Sequence, residues 1–389
     1  MEDELFGIEK VELNRQKNMY NLIASENIPS AEQLRALGSV ITNKYSEGYP
    51  GKRYYQGNKY IDMIEVECKK RLLKLFDAED EYAANVQVLS GATANLAVYL
   101  AFLNPGDKIL ALKLDSGAHI THGLPVNFSG KMFDIINYEL DENGIIDYEY
   151  LEKIAMKAQP KLIICGYTAY SRIIDFTKFS DIAKSCGAYL MADISHIAGL
   201  IAGGAHPSPV GHADFITSTT HKTLRGIRSA FVMVKKDYEK KMNSAVFPGI
   251  FGGPKNNEIM AKAICFKEAA TEEFKTYTFE VIRNTRYVCE QLKLHGLKIV
   301  SDGTDNHLFV IDLSEHSLDS KTIAEQLEER GIVVNVNTIP NDKGTPWKPQ
   351  GIRIGLAFET TKGIDKLGLD FIVGQIVKVI KEDKKNGKR

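Results

Sequence analysis

Between residues 57 and 235, stretches with helical periodicity alternate with short apolar runs, among them Lys108-Ile-Leu-Ala-Leu112, Leu162-Ile-Ile-Cys165, Ala188-Tyr-Leu-Met-Ala192 and Phe231-Val-Met-Val234. Runs without a polar face suit strands that helices cover on both sides, so the alternation predicts a mainly parallel α/β sheet. Polar, glycine-containing turns such as Asn104-Pro-Gly-Asp107 separate the elements. Near residue 275 the pattern changes. A helical stretch over about 277–294 leads into Leu308-Phe-Val-Ile-Asp-Leu313, a helix over about 320–330, the run Val333-Val-Asn-Val336 and a last helix over about 364–382, which predict a smaller α+β unit. A chain of 389 residues exceeds what one core usually serves. The expected division is an N-terminal arm over 1–29, a large domain over 30–275 and a small C-terminal domain over 276–389.

The charge balance argues against a polyanionic partner. Lys and Arg number 49 against 50 Asp and Glu, and the positive residues do not cluster before the terminal Lys384-Lys-Asn-Gly-Lys-Arg389, which reads as a solvated end. Nucleic acid is therefore not an expected partner. Five cysteines at 68, 165, 186, 265 and 289, without Cys-x-x-Cys spacing, match neither a disulfide framework nor a zinc site. They read as reduced thiols, and no metal is expected. The first residues lack a basic segment followed by a long apolar stretch, and no apolar run approaches the length of a membrane span. A cytoplasmic protein without a membrane partner is expected.

Four features carry chemistry. Lys222 follows the apolar run Asp214-Phe-Ile-Thr217 and the hydroxyl residues Ser218 to Thr220, where a strand ends and ligands gather in open α/β sheets. Taken alone, such a lysine is more often a solvated surface residue. Asp193 closes the strongly apolar Ala188-Tyr-Leu-Met-Ala192, where an unpaired carboxylate is costly and calls for a cationic partner, or else caps a helix. The segment Val86 to Asn95 runs from a strand through the small turn Ser90-Gly91-Ala92 into a helix, which suits a phosphate but also describes an ordinary capped turn. Arg353, between glycines and apolar residues, could clamp an amino-acid carboxylate or form a structural ion pair. Together these supply what amine chemistry on an aldehyde cofactor needs: a lysine, a phosphate seat, an acid facing a pyridine nitrogen and a carboxylate clamp.

Longer motifs then narrow the field. Leu22-Ile-Ala-Ser-Glu-Asn27, Thr42 to Tyr55, Thr121-His-Gly123, Pro125 to Gly130, His221-Lys-Thr-Leu-Arg-Gly226, Asn243 to Pro248 and Gly303 to Leu308 strongly resemble the serine hydroxymethyltransferases, over roughly residues 18–380. The resemblance implies an α/β transferase of fold type I that depends on pyridoxal 5'-phosphate, with a mainly parallel seven-stranded sheet and a smaller α+β domain. It implies a homodimer whose active sites are shared, and tetrahydrofolate and an amino acid as small-molecule partners. By the same resemblance Lys222 carries the cofactor as an imine, Asp193 meets its pyridine nitrogen, His119 stacks on its ring and His196 meets its phenolic oxygen. Ser90, Gly91, Ala92, Thr168, Thr219 and His221 hold the cofactor or orient Lys222. Gly253 reaches the phosphate of the neighbouring subunit, and Tyr45 and Tyr55 cross the interface. Arg353 with Ser25 takes the amino-acid carboxylate, and Glu47 moves protons at the hydroxymethyl group. Folate contacts Leu114, Ala118, Ile120, Asn337 and the neighbourhood of Thr345, with Phe247 packing from the other subunit. The implied reaction is serine plus tetrahydrofolate to glycine plus 5,10-methylenetetrahydrofolate.

Some positions depart from the family's pattern. Ala92 replaces a serine at the phosphate, Thr168 replaces a serine, and Ser116 and Ala118 alter a His-Gly-Gly-His stretch. Leu356-Ala-Phe358 replaces a Thr-Pro-Ala segment, and Gly211 and Ile227 stand where proline is common. One lost neutral hydrogen bond is worth about 1 kcal/mol, which leaves the cofactor assignment in place. The changes near folate and carboxylate keep open a relative acting as an aldolase, transaldolase or hydroxymethyltransferase on another β-hydroxy or α-substituted amino acid. A non-catalytic scaffold would lack Lys222, Asp193 or Arg353, or carry a basic face, and neither signature is present.

Overall fold

The computed structural model describes residues 3–316, 319–345 and 347–386, those from 382 by backbone alone. The terminal basic run therefore lies outside the described side chains. Among the described residues no helix is long and apolar enough to cross a membrane.

Seven strands form the main sheet: β1 (Tyr82–Asn85), β2 (Lys108–Leu112), β3 (Asp134–Tyr138), β4 (Leu162–Cys165), β5 (Tyr189–Asp193), β6 (Phe215–Thr219) and β7 (Ala230–Lys235). Their order is β1-β7-β6-β5-β4-β2-β3. Strands β2 to β6 run parallel, and β7 is antiparallel to both its neighbours. The expected mainly parallel α/β sheet is the observed one. Its apolar runs have a direct cause, since alternate residues feed different cores. Leu110 and Leu112 pack with Ile163 and Ala192 on one face, Ile109 and Ala111 with Leu162 and Ile164 on the other. Both faces are closed, so Ile109 to Leu112 of β2 and all of β4 are apolar.

Phe215 fixes the second face at the start of β6. Its ring centroid lies 4.3 Å from that of Phe102, and Tyr189 and Tyr238 also pack against it. Phe215→Ala is expected to cost about 3–5 kcal/mol. The denaturant midpoint of the purified chain measures this, and an unchanged midpoint would show that the ring does not close that face.

A second, antiparallel sheet holds β8 (Lys298–Ile299), β9 (Leu308–Asp312), β10 (Asn335–Asn337) and β11 (Gly351–Gly355), in the order β8-β9-β11-β10. Phe309, Ile311, Ile352 and Ile354 build its core with the helix Lys366–Asn386. The helix Glu272–Leu294 serves both bodies: Phe274, Tyr277 and Val281 enter the core of the large sheet, and Val288, Cys289 and Leu292 that of the small one. The N-terminal arm is tied to the small sheet. Tyr20 and Asn21 pair in parallel with Ile332 and Val333, Leu22 enters the same core, and the buried Glu359 accepts from the Asn21 N–H at 2.8 Å. This anchoring brings Ser25 to the mouth of the site described next.

Candidate active site

The carboxyl ends of the parallel strands converge on one cavity of about 360 Å³. Asp193 is the last residue of β5 and Thr219 the last of β6, Thr168 follows β4, and the helix Gly91–Phe102 begins beyond β1. Gly166, between β4 and Thr168, has φ +117°, and a Cβ there would sit 1.9 Å from the Asp193 carbonyl oxygen. Only glycine lets the two strand ends come this close.

Asp193 is the electrostatic centre. Asn95 donates to its Oδ2 at 2.9 Å, His122 Nε2 lies 3.1 Å from the same oxygen, and the Ser195 N–H and hydroxyl donate to Oδ1 at 3.1 and 2.6 Å. Burial alone would raise its pKa, but the hydrogen bond and positive field of His122 lead the interactions that hold it well below the usual carboxylate range. It is a fixed anion with one side open to the cavity. His119, hydrogen-bonded through Nδ1 to Thr121 at 2.7 Å, lines that cavity, and burial pushes its pKa down to about 4. The ring is thus neutral and free to lie against a flat ligand.

Lys222 is 8% exposed and donates to the Thr219 hydroxyl at 3.0 Å. Burial pushes its pKa down to about 8; Asp193 opposes that shift, and Arg353 and Arg228 reinforce it. A lysine so placed has an appreciable neutral fraction near neutral pH, which condensation with an aldehyde requires. His196 faces the same cavity, held by His307 at 3.2 Å, and burial keeps it neutral.

Ser90 caps the helix Gly91–Phe102, its hydroxyl accepting from Thr93 N–H at 3.3 Å. Ser90, Gly91 and Ala92 all line the cavity, so backbone N–H groups at the positive end of the helix face it. A Cβ on Gly91 would meet the Thr219 Cγ2 at 2.8 Å, and that space would be lost. His221 Nδ1 and Thr168 Oγ1 are buried with no hydrogen-bond partner among the described residues. Two orphaned polar atoms beside an anion seat, a neutralisable lysine and a fixed carboxylate fit pyridoxal phosphate.

Arg353, from β11, closes the far side. It is 5% exposed, donates to the Thr168 carbonyl at 2.8 Å and to Asn335 Oδ1 at 3.1 Å, and no carboxylate pairs with it among the described residues. Burial brings its pKa down to about 10. The structural ion pair that the sequence left open is therefore not formed. A buried guanidinium facing a cavity without a counter-ion is a site for an anion. Ser25 and Ile120 complete the rim.

Other expected members stand elsewhere in the same chain. Tyr45, Glu47, Tyr55, Phe247 and Gly253 do not line the cavity. They gather in an exposed aromatic patch: Tyr45 packs on Tyr55 at 5.3 Å, Tyr54 on Phe247 at 5.6 Å, and Glu47 and Tyr45 lie against Gly252 and Gly253. Leu114, Ala118, Asn337 and Thr345 also lie outside the lining; Ala118 is buried in the core of the large sheet and Thr345 is exposed. Asn95, His122, Ser195, Tyr167 and Arg228 belong to the site without having been singled out from the sequence. Thr121-His-Gly123 stands out as a motif, but nothing local in it points to Asp193.

The serine hydroxymethyltransferase family profile matches residues 1–376. The chain belongs to this family. A serine hydroxymethyltransferase of Desulfotalea psychrophila (strain LSv54 / DSM 12343) is 47% identical over 377 residues, covering 97% of this chain and 88% of that protein. Membership makes the chain a fold-type I, pyridoxal-phosphate-dependent one-carbon transferase. The departures from the family's pattern acquire physical reasons. Leu356, Ala357 and Phe358 are 0%, 1% and 4% exposed, with Leu356 in the core of the small sheet and Ala357 in that of the large one, and none of the three lines the cavity. Gly211 has φ +82°, a conformation closed to the proline usual in serine hydroxymethyltransferases. Ile227 is buried against Ala36 and Ala261.

Proposed function

We propose that the chain interconverts L-serine plus tetrahydrofolate and glycine plus 5,10-methylenetetrahydrofolate, with pyridoxal phosphate on Lys222 and active sites completed across a homodimer. The observation that carries the reading is Arg353, a buried guanidinium without a counter-ion among the described residues, in the same cavity as Lys222 and Asp193. Pyridoxal phosphate supplies an aldehyde for the substrate amine and a ring that withdraws electrons from the amino acid's Cα. The chain's residues do the rest. The Ser90–Ala92 turn would seat the cofactor's phosphate, Asp193 would present a negative charge to its pyridine nitrogen, and His119 would cover its ring. Arg353 and Ser25 fix the substrate carboxylate, which sets the direction in which the Cα–Cβ bond points. Lys222 would hold the cofactor's aldehyde carbon, and Thr219 would hold the lysine amine whenever it is free.

Glu47 is read as the group that moves the hydroxymethyl proton, and Ile120, Leu114, Ala118, Asn337, Thr345 and Phe247 as the folate surface. The position of Glu47 among Tyr45, Tyr55 and Gly253, away from its own chain's cavity, supports a site finished by a neighbouring copy. The burial of Leu356, Ala357 and Phe358 weakens one of the two sequence arguments for another amino acid as substrate, the other being Ala118. A paired assay tests the reading: L-serine with and without tetrahydrofolate, beside L-allo-threonine and α-methylserine. Serine cleavage is expected to depend on tetrahydrofolate. Cleavage of every substrate at the same rate without it would overturn the proposal.

A further inference from the structure

Lys262, on the helix Asn256–Ala269, is 1% exposed, and no acid pairs with its ammonium among the described residues. Its Nζ donates instead to three carbonyls, those of Val86 at 2.5 Å, Ala230 at 2.9 Å and Val88 at 3.4 Å. An ammonium out of water is costly unless each proton is answered, and here three acceptors answer three protons. The acceptors mark a particular place in the fold. Strand β1 ends at Asn85, opposite Val232, and Val86 to Leu89 run on without a strand partner to the Ser90 cap. Side chains serve the N–H groups of this segment: Asn85 Oδ1 accepts from Gln87 at 2.9 Å, and Thr93 Oγ1 accepts from Leu89 and Ser90 at 3.2 and 2.9 Å. Its carbonyls fall to Lys262. Ala230, the third acceptor, stands opposite Thr219, which holds the Lys222 amine. One buried cation thus ties the segment leading to the Ser90–Ala92 turn to the strand edge facing the Lys222 anchor.

We propose that Lys262 is a positioning residue that fixes the Ser90–Ala92 turn relative to Lys222, so that one ligand can place a phosphate on the turn and an aldehyde on the amine. The inference rests on the reading of that turn as the phosphate seat. A helix N-terminus binds an anion through aligned N–H groups, and a turn free to shift loses that alignment. Lys262 does not line the cavity, so its loss acts chiefly through the placement of the Ser90–Ala92 turn.

The test compares pyridoxal phosphate with pyridoxal, which lacks the phosphate, by the absorbance of the imine formed on apo protein. For Lys262→Met, and for Lys262→Gln, which keeps one donor group, the pyridoxal phosphate dissociation constant is expected to rise about tenfold, with that of pyridoxal changing less than about twofold. Equal changes for both ligands, or none, would overturn the proposal. A parent chain that shows no preference for pyridoxal phosphate over pyridoxal would sink the phosphate reading itself, and the inference with it.

Should neither variant fold, the parent chain still decides. Cys68, Glu65 and Glu258 are the titratable groups that face Lys262, and burial pushes its pKa down to about 8, against 10.5 for an ordinary lysine. Cys68, pushed up to about 12, stays neutral. Lys222 titrates in the same range but acts on both aldehydes alike, so it cancels in their ratio. The preference for pyridoxal phosphate over pyridoxal is expected to fall between about pH 7 and 9.5 as Lys262 loses its charge. A flat ratio contradicts the role.

Discussion

An Asp193→Asn protein is expected to lose about 10²- to 10³-fold in kcat while keeping its fold. The figure follows from the surroundings of the carboxylate. Removing one member of a buried charge pair costs about 3–5 kcal/mol, and each 1.4 kcal/mol is a factor of ten. Four contacts converge on the two oxygens, from Asn95 and His122 on one and from the Ser195 N–H and hydroxyl on the other. Asparagine has a single oxygen, so its amide must meet a donor with a donor on one side. The neutral side chain also removes the charge that would face a protonated pyridine nitrogen. Two readouts separate these effects: the pyridoxal phosphate dissociation constant, expected to rise, and the turnover of fully loaded enzyme, expected to fall. Undiminished turnover in Asp193→Asn would show that the carboxylate is a structural cap and nothing more.

The parts of this chain that were legible in advance share a physical property: their environment is uniform along the sequence. Leu162-Ile-Ile-Cys165 reads as a strand because both faces of β4 are covered, so each residue had to be apolar. Failures came where partners change. Val333 to Val336 reads as one strand, but Ile332 and Val333 pair with the arm while Asn335 to Asn337 pair with β11, and no local pattern announces a change of partner. The apolar Val86-Gln-Val-Leu89 looks like strand too. The pairing with β7 ends at Asn85, and the carbonyls beyond it are met by Lys262, far along the chain.

The site divides in the same way. Lys222, Asp193 and Ser90 sit beyond or at strand ends and at a helix start, where apolar runs break off into polar residues, and Arg353 is a charge set inside an apolar strand; both contrasts are visible in one sequence. Asn95, His122 and Ser195 have no such contrast. They matter because the fold aims them at one carboxylate, from as far as 98 positions away in the chain. Glu47 lies in a motif that the sequence displays, yet its position outside its own chain's cavity is visible only in three dimensions.

Arg353 gives the sharpest separation of structural from functional reading, because the two predict opposite signs. If the guanidinium served the fold, Arg353→Gln would lower the stability of the apo chain. The structure shows it buried, with one backbone and one amide acceptor and no carboxylate, and its pKa pushed down to about 10 by burial. Such a charge is a net cost until an anion arrives. Arg353→Gln apo protein is therefore expected to unfold at an unchanged or higher denaturant midpoint. The gain from substrate should vanish: glycine, which is expected to stabilise the parent loaded with pyridoxal phosphate, should leave the variant where it was. Truncating one partner of a desolvated, hydrogen-bonded charge pair costs about 2–5 kcal/mol, so kcat/KM for serine should drop by about 10²- to 10³-fold. A third readout follows from the sign of the field at Lys222. Arg353 lowers the pKa of that lysine because one cation disfavours another, and removing it should move the lysine's titration upward from about 8. Imine formation with pyridoxal phosphate would then rise only at higher pH than in the parent. A variant that is destabilised, still answers to glycine and keeps the parent's pH profile would assign Arg353 to the scaffold and leave the cavity without its carboxylate clamp.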